Sequence, residues 1–221
     1  MNKHLIVISV DALVFEDLEY AKTLPTFGSL IDGGAIIERV TSIYPTLTHP
    51  VHASVISGAP AGKTGVVSNY LFNPLNPTEM IRWYDRLDDI KCDTLLHAAK
   101  RAGLTTAVAS WPLTVGADDV VDHLVPCVLN YHFDEEKEAP IDTYRRLGAT
   151  ESVIDILDEG IKRYGHRDSH PEIERVHSYC CAEIIKRYKP NLLLTHPSHV
   201  DSMRHKSGAF SDKVTEAIGM T

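Results

Sequence analysis

The stretch HLIVISVD, residues 4 to 11, decides how this chain folds. From Leu5 to Val10 it is a continuous apolar, β-branched run of the kind a strand buried on both faces shows. Such a strand belongs in a parallel sheet whose helices cover both faces. The run empties into Asp11, and open parallel sheets bind ligands beyond the carboxyl ends of their strands. Asp11 therefore sits where a catalytic carboxylate would. Because Asp11 ends it so soon, the run fits neither a membrane span nor an export signal.

Downstream, strand and helix patterns alternate. Pro25 opens a helix whose Phe27, Leu30 and Ile31 share a face, with Gly33-Gly34 ending it. Ala35 to Ile43 reads as a second strand. A short strand is expected near Val66 and another from Met80 to Tyr84. Asp93 is expected to cap a helix through Arg101, followed by a strand from Leu104 to Ala109. Val120 to Leu129 and Asn191 to Thr195 complete the strands. Asp134 to Glu138 reads as a solvated loop. Helices are expected from Thr150 to Tyr164, from a Ser169/Glu172 capping box to Tyr188, and from Ser211 onward. This order implies an α/β fold, a mostly parallel sheet sandwiched by helices, with right-handed crossovers.

The composition narrows the chemistry. A net charge of −8 and a pI near 5.8 disfavour a nucleic-acid backbone as the main partner. A phosphate substrate would then need local cations or helix N-termini. Cys92, Cys127, Cys180 and Cys181 show no disulfide framework, so reduced thiols in a cytoplasmic protein are expected. Twelve histidines are many for this length and direct attention to metal binding.

Tyr44 to Gly58, YPTLTHPVHASVISG, places the Thr48 hydroxyl where a loop turns into a helix. A helix start presents unpaired N–H groups and the positive end of the dipole, which suits a phosphate. An N-cap role for Thr48 and a nucleophilic one both fit this placement. After the last strand, Asp201 and His205 stand four apart, on one helix face.

Together these segments resemble the type I phosphodiesterase and nucleotide pyrophosphatase branch of the alkaline phosphatase superfamily. The matching residues are VISVDAL with Asp11, YPTLTHPVH followed by SVISG, GKTGVVSN with Asn69, SWP at 110 to 112, and DSMRHKSG. The resemblance implies a metal-dependent hydrolase, usually with two zinc ions, acting on phosphodiester or pyrophosphate bonds of small nucleotide-like substrates. Thr48 would be the nucleophile and pass through a phosphothreonine. Asp11 and the Thr48 oxygen would share one metal, Asp201 and His205 would hold the other, and Asn69 would bind substrate.

Two departures follow. The family carries an asparagine three residues after the nucleophile, where this chain has Val51. The family also completes its metal sites with an Asp-His pair and a further His beyond the Asp-x-x-x-His element. Asp122-His123 precedes Asp201 and reads as a decoy, and the 165–170 cluster as a polar loop. The expectation is thus that residues 1 to 221 form the N-terminal part of a single alkaline phosphatase-like catalytic domain, with a small insertion at about 113–170. Completion by another chain or a dimer is the other expected route. A phosphonate- or phosphosugar-acting member, and a non-catalytic α/β binding module, are the alternatives. Tyr70, Phe72 and Trp83 are candidates for a base-stacking wall or for core packing.

Overall fold

A computed structural model describes residues 3–37, 39–76, 80–129, 132, 138–165 and 170–221. In chain order the elements are β1 (Leu5–Ile8), α1 (Leu18–Ala21), α2 (Pro25–Gly33), α3 (Thr48–Ser57) and α4 (Ala61–Thr64). Next come β2 (Tyr70–Phe72), β3 (Met80–Trp83), α5 (Leu95–Arg101), β4 (Thr106–Ala109), β5 (His123–Val125) and α6 (Pro140–Arg146). The remainder is α7 (Glu151–Tyr164), α8 (Glu172–Tyr188), β6 (Leu192–Thr195), α9 (His199–Ser207) and α10 (Asp212–Met220). They fall into two compact units, residues 1–8 with 42–196 and residues 9–41 with 197–221.

The larger unit holds a four-stranded sheet in the order β1-β6-β4-β5, with every pairing parallel. β4 and β6 are buried along their whole length. Alternate residues point to opposite faces, so one strand feeds two cores. Val108, Leu192 and Leu194 pack with Ala53 and Ile56 of α3 and Leu96 of α5. Ala107 and Leu193 pack on the other side with Ile156 and Leu157 of α7 and Val176, Cys180 and Ile184 of α8. This is the expected sandwich. Segment 113–170 contributes β5, α6 and α7 to it. β2 and β3 form a separate antiparallel hairpin in the same unit.

Several local expectations change. β1 is not buried on both faces: Leu5, Ile6 and Ile8 are 53%, 44% and 57% exposed, and Val7 alone of the four packs against the core. The cause is position, since β1 is an edge strand whose one described partner is β6. The stretch 35–43 holds no strand among its described residues, and Ile37 and Val40 are exposed. β-branched composition favours a strand only where a neighbouring strand supplies the ladder and the packing. The short strand expected near Val66 forms instead at Tyr70–Phe72, and Val66 is a core residue. Thr94, not Asp93, caps α5, accepting from His97 N, while Asp93 pairs with Arg101. Most of the 134–138 loop, and Ser169 with most of the 165–170 cluster, lie outside the described residues.

The smaller unit is helical. Val200 of α9 packs with Val214, Ala217 and Ile218 of α10, and Val10, Leu13, Tyr20 and Leu24 close around them.

Candidate active site

Thr48 is the first residue of α3, and Leu47 occupies the cap position without a side-chain cap bond. The N-cap reading of Thr48 is therefore corrected. The backbone before it is extended at Leu47, so the chain turns sharply into the helix.

The helix start also offers fewer donors than the sequence suggests. Pro50 has no N–H, Val51 N donates to Leu47 O (3.0 Å), and His49 N donates to Asn69 Oδ1 (3.0 Å). The dipole remains, but three of the first four backbone positions have no N–H to give a phosphate. Asn69 stands beside this helix start. Its Oδ1 faces the His49 backbone N–H and the His49 Nδ1 at 3.1 Å, so the amide orientation is fixed. The half-buried Nδ2 group makes no hydrogen bond among the described residues, which suits it to donate to a substrate oxygen.

Asn69 leads directly into β2. Tyr70 opposes Trp83 across the hairpin, their rings edge to face at 6.2 Å, and Trp83 also meets the His49 ring at 5.3 Å. Tyr70 and Phe72 are exposed. The aromatic residues suggested as a wall thus stand on one hairpin, tied to the Thr48 corner through His49.

Sequence reading misses a buried ring cluster beneath Thr48. His52 Nδ1 lies 2.6 Å from Thr48 O, and the His52 ring meets Trp111 at 4.8 Å and His196 at 4.1 Å. That Trp111 and His196 close on His52 follows from strands β4 and β6 being neighbours, which local spacing does not reveal.

Asp11, Asp201 and His205 belong to the smaller unit. Asp11 N donates to Pro197 O (2.8 Å), which ties the Asp11 turn to the approach to α9. Ala12 has φ of +57°, a left-handed conformation that costs a non-glycine residue about 1 kcal/mol or more. Arg204 of α9 secures this turn by donating Nε to Ala12 O (2.9 Å) and pairing with Asp17 (2.5 Å). Both side chains of that pair are almost buried. Asp201 Oδ1 and His205 Nε2 are 3.5 Å apart on α9, with the His205 side chain 81% exposed.

These are donors of the kind zinc takes, but a zinc site needs roughly three or four. Among the described residues no three His, Cys, Asp or Glu side chains converge to hold an ion. Asp201 and His205 fit a metal in type and spacing; the described residues do not complete its coordination.

Asp122-His123 is structural. Burial alone would raise the Asp122 carboxyl, but Lys100 Nζ (2.8 Å) and Thr106 N (2.9 Å) hold it below its usual range. Burial pushes His123 down, and its ring stacks on Tyr188 at 3.8 Å. The four cysteines form no disulfide, and burial pushes the Cys180 thiol up to about 12, leaving it inert.

Comparison with known proteins identifies the family. The profile of the type I phosphodiesterase / nucleotide pyrophosphatase family matches residues 5–220. Human ectonucleotide pyrophosphatase/phosphodiesterase family member 5 is 26% identical over 117 residues, 51% of this chain and 24% of that protein. Murine ectonucleotide pyrophosphatase / phosphodiesterase 5 superposes with a TM-score of 0.57 at 19% identity, over 99% of this chain and 49% of that one. The murine protein is also known as an inactive threonine-to-alanine form in complex with AMP. Phosphonoacetate hydrolase from Sinorhizobium meliloti, with bound phosphonoacetate, gives a TM-score of 0.69 at 18% identity, over 99% of this chain and 51% of that one. The chain thus spans about half the length of these solved structures and a quarter of the human relative. With the match running from β1 through α10, the chain belongs to the type I phosphodiesterase / nucleotide pyrophosphatase family of the alkaline phosphatase superfamily.

Proposed function

We propose that this chain carries the nucleophile half of a metal-dependent hydrolase of phosphodiester or pyrophosphate bonds, with Thr48 as nucleophile. The observation that carries the reading is the Thr48 corner. A hydroxyl residue opens a helix without capping it, and beside it Asn69 is clamped with its amide N–H2 unspent. The inactive threonine-to-alanine form of the murine relative, bound to AMP, supports a threonine nucleophile and a nucleotide-like substrate.

In this reading Thr48 Oγ1 forms a bond to phosphorus while the ester or anhydride oxygen leaves with the bonding pair. The hydroxyl proton leaves Oγ1 as it attacks and is taken up by the departing oxygen. Water then attacks the phosphothreonine, and Oγ1 leaves and regains a proton. Asn69 Nδ2 donates to a phosphoryl oxygen, where the transition state spreads negative charge. Such a donor matters more here because Val51 has none. Asp11, Asp201 and His205 would supply metal ligands, the remainder coming from outside the described residues. A divalent cation, when bound, supplies positive charge that favours the alkoxide over the hydroxyl.

The test is hydrolysis of bis(p-nitrophenyl) phosphate with zinc or manganese added stepwise, alongside bound metal per chain. Turnover that rises with metal occupancy supports the reading. Metal-independent turnover refutes the metal-dependent reading, whereas bound metal with no turnover leaves a non-catalytic module. Turnover of phosphonoacetate in place of the diester would move the substrate class to phosphonates.

A further inference from the structure

The first turn of α3 closes through Val51 N donating to Leu47 O and carries no side-chain cap. Pro50 contributes no N–H. A side chain one turn further on can fix the angle at which Thr48 is presented. His52, one turn along, is placed to do it, since its Nδ1 lies 2.6 Å from Thr48 O. A carbonyl oxygen accepts and never donates, so Nδ1 carries the proton and the tautomer is set.

The ring that makes this bond is held on two sides. It is 3% exposed, edge to face with Trp111 at 75° and with His196 at 66°. Trp111 is itself placed at some cost. Ser110 and Leu113 on either side of Trp111-Pro112 adopt φ of +59° and +61°, conformations that non-glycine residues seldom take. Such backbone outliers persist where surrounding structure over-determines them, and they cluster at functional sites. Trp111 is fully buried, yet its Nε1 has no hydrogen-bond partner among the described residues. Buried indoles usually find one. A smaller apolar residue would fill a core without burying an unpaired N–H. What Trp111 supplies is a flat, rigid wall against His52.

We propose that His52 is the positioning residue of this site, its Nδ1–H holding the Thr48 carbonyl so that the threonine hydroxyl is presented at a fixed angle. Trp111 and His196 hold the imidazole in that orientation. His52 touches no reacting atom; it acts through Thr48. This rests on Thr48 being the nucleophile.

Two variants separate the bond from the packing. His52→Phe keeps a ring between Trp111 and His196 but removes the donor. His52→Asn removes the ring but keeps an amide nitrogen near the Nδ1 position. With bis(p-nitrophenyl) phosphate and added metal, His52→Phe is expected to lose about tenfold or more in kcat. Its KM and melting temperature should stay near those of the unaltered chain. His52→Asn is expected to melt lower yet turn over faster than His52→Phe. If activity simply follows melting temperature, with Asn below Phe, the proposal is overturned. Nitrogen-15 NMR of the His52 imidazole tests the bond without relying on turnover. Protonation at Nδ1 is expected, and a neutral ring protonated only at Nε2 overturns the proposal. Should the unaltered chain show no turnover with either metal, the nucleophile reading fails, and the catalytic role of His52 falls with it. That failure is distinguishable from a wrong tautomer in an active chain.

Discussion

Thr48 stands at a helix start gripped by buried groups, whereas His205 stands on a helix face open to solvent. Around Thr48, Asn69 holds the next backbone N–H and His52 holds the carbonyl, with Trp111 and His196 behind. On α9, Asp201 and His205 face each other at 3.5 Å with one of them mostly hydrated. A nucleophile must be aimed before substrate arrives, because misplacement by about 1 Å can cost on the order of a hundredfold. Ligands on an exposed helix face can be drawn into place by the cation they bind. The larger unit is thus finished around its hydroxyl, while the smaller unit fixes the backbone of the segments proposed to bind metal and leaves His205 in solvent.

The sharpest way to break this contrast is Thr48→Ala. Hydrolysis of bis(p-nitrophenyl) phosphate should fall by about a thousandfold or more. Circular dichroism should be unchanged, since Leu47 and not Thr48 occupies the cap position of α3. Retained activity would mean the well-built corner is only a packing feature. Next in size, Asp201→Asn and His205→Ala should weaken zinc binding, read by calorimetry, by more than the roughly tenfold that loss of an outer partner costs. The melting temperature of His205→Ala without metal should move little, because His205 is exposed. A large fall in stability would show that the ligand helix is as finished as the nucleophile corner.

Arg204→Met tests whether backbone fixation of the smaller unit is real. It strands Asp17 and releases the strained Ala12 turn, for a cost of about 3 kcal/mol. Melting should drop by roughly 6–12 °C in a chain of this size. A drop under about 2 °C would show that Arg204 does not hold the Asp11 turn.

Smaller still is a pH effect at the Asp122-His123 lock. Burial lowers the His123 pKa, so the folded state binds fewer protons than the unfolded one. Its contribution is complete above the unfolded value of about 6.5 and declines as pH falls below it. The Asp122 carboxyl, depressed instead, loses its contribution only as pH falls from below about 4 through its folded value. His123→Phe should keep the stack on Tyr188 and flatten the decline in melting temperature between pH 7.5 and 5.5. Smallest of all, Ile8→Lys on the exposed edge strand should change stability by under about 0.5 kcal/mol. The sequence of that strand, buried-looking throughout, would suggest several times more.

That last case shows where sequence reading succeeds and where it stops. Strands β4 and β6, the helices α7, α8 and α10, and the placement of Asp11 and Asp201-x-x-x-His205 are legible because periodicity and caps are local signals. β1 has the same composition as a central strand, yet its burial depends on which strands flank it. Stretch 35–43 fails for the same reason, having strand residues without a ladder. Thr48 could be located, but not the fate of the donors around it. That required knowing that Asn69 folds back on His49 from twenty positions away. Trp111 and His196 come from the ends of two different strands, so no spacing rule joins them to His52. α6 escapes sequence reading because its seven residues carry too little periodicity.

The central claim is that Thr48 attacks phosphorus, and trapping the covalent adduct tests it most directly. The chain is loaded with zinc or manganese, mixed with a phosphodiester, quenched in acid within the first turnover and mapped by peptide mass spectrometry. The account predicts a phosphoester on Thr48, absent from Thr48→Ala. Steady turnover with no adduct on the peptide carrying Thr48, and undiminished turnover by Thr48→Ala, would contradict it.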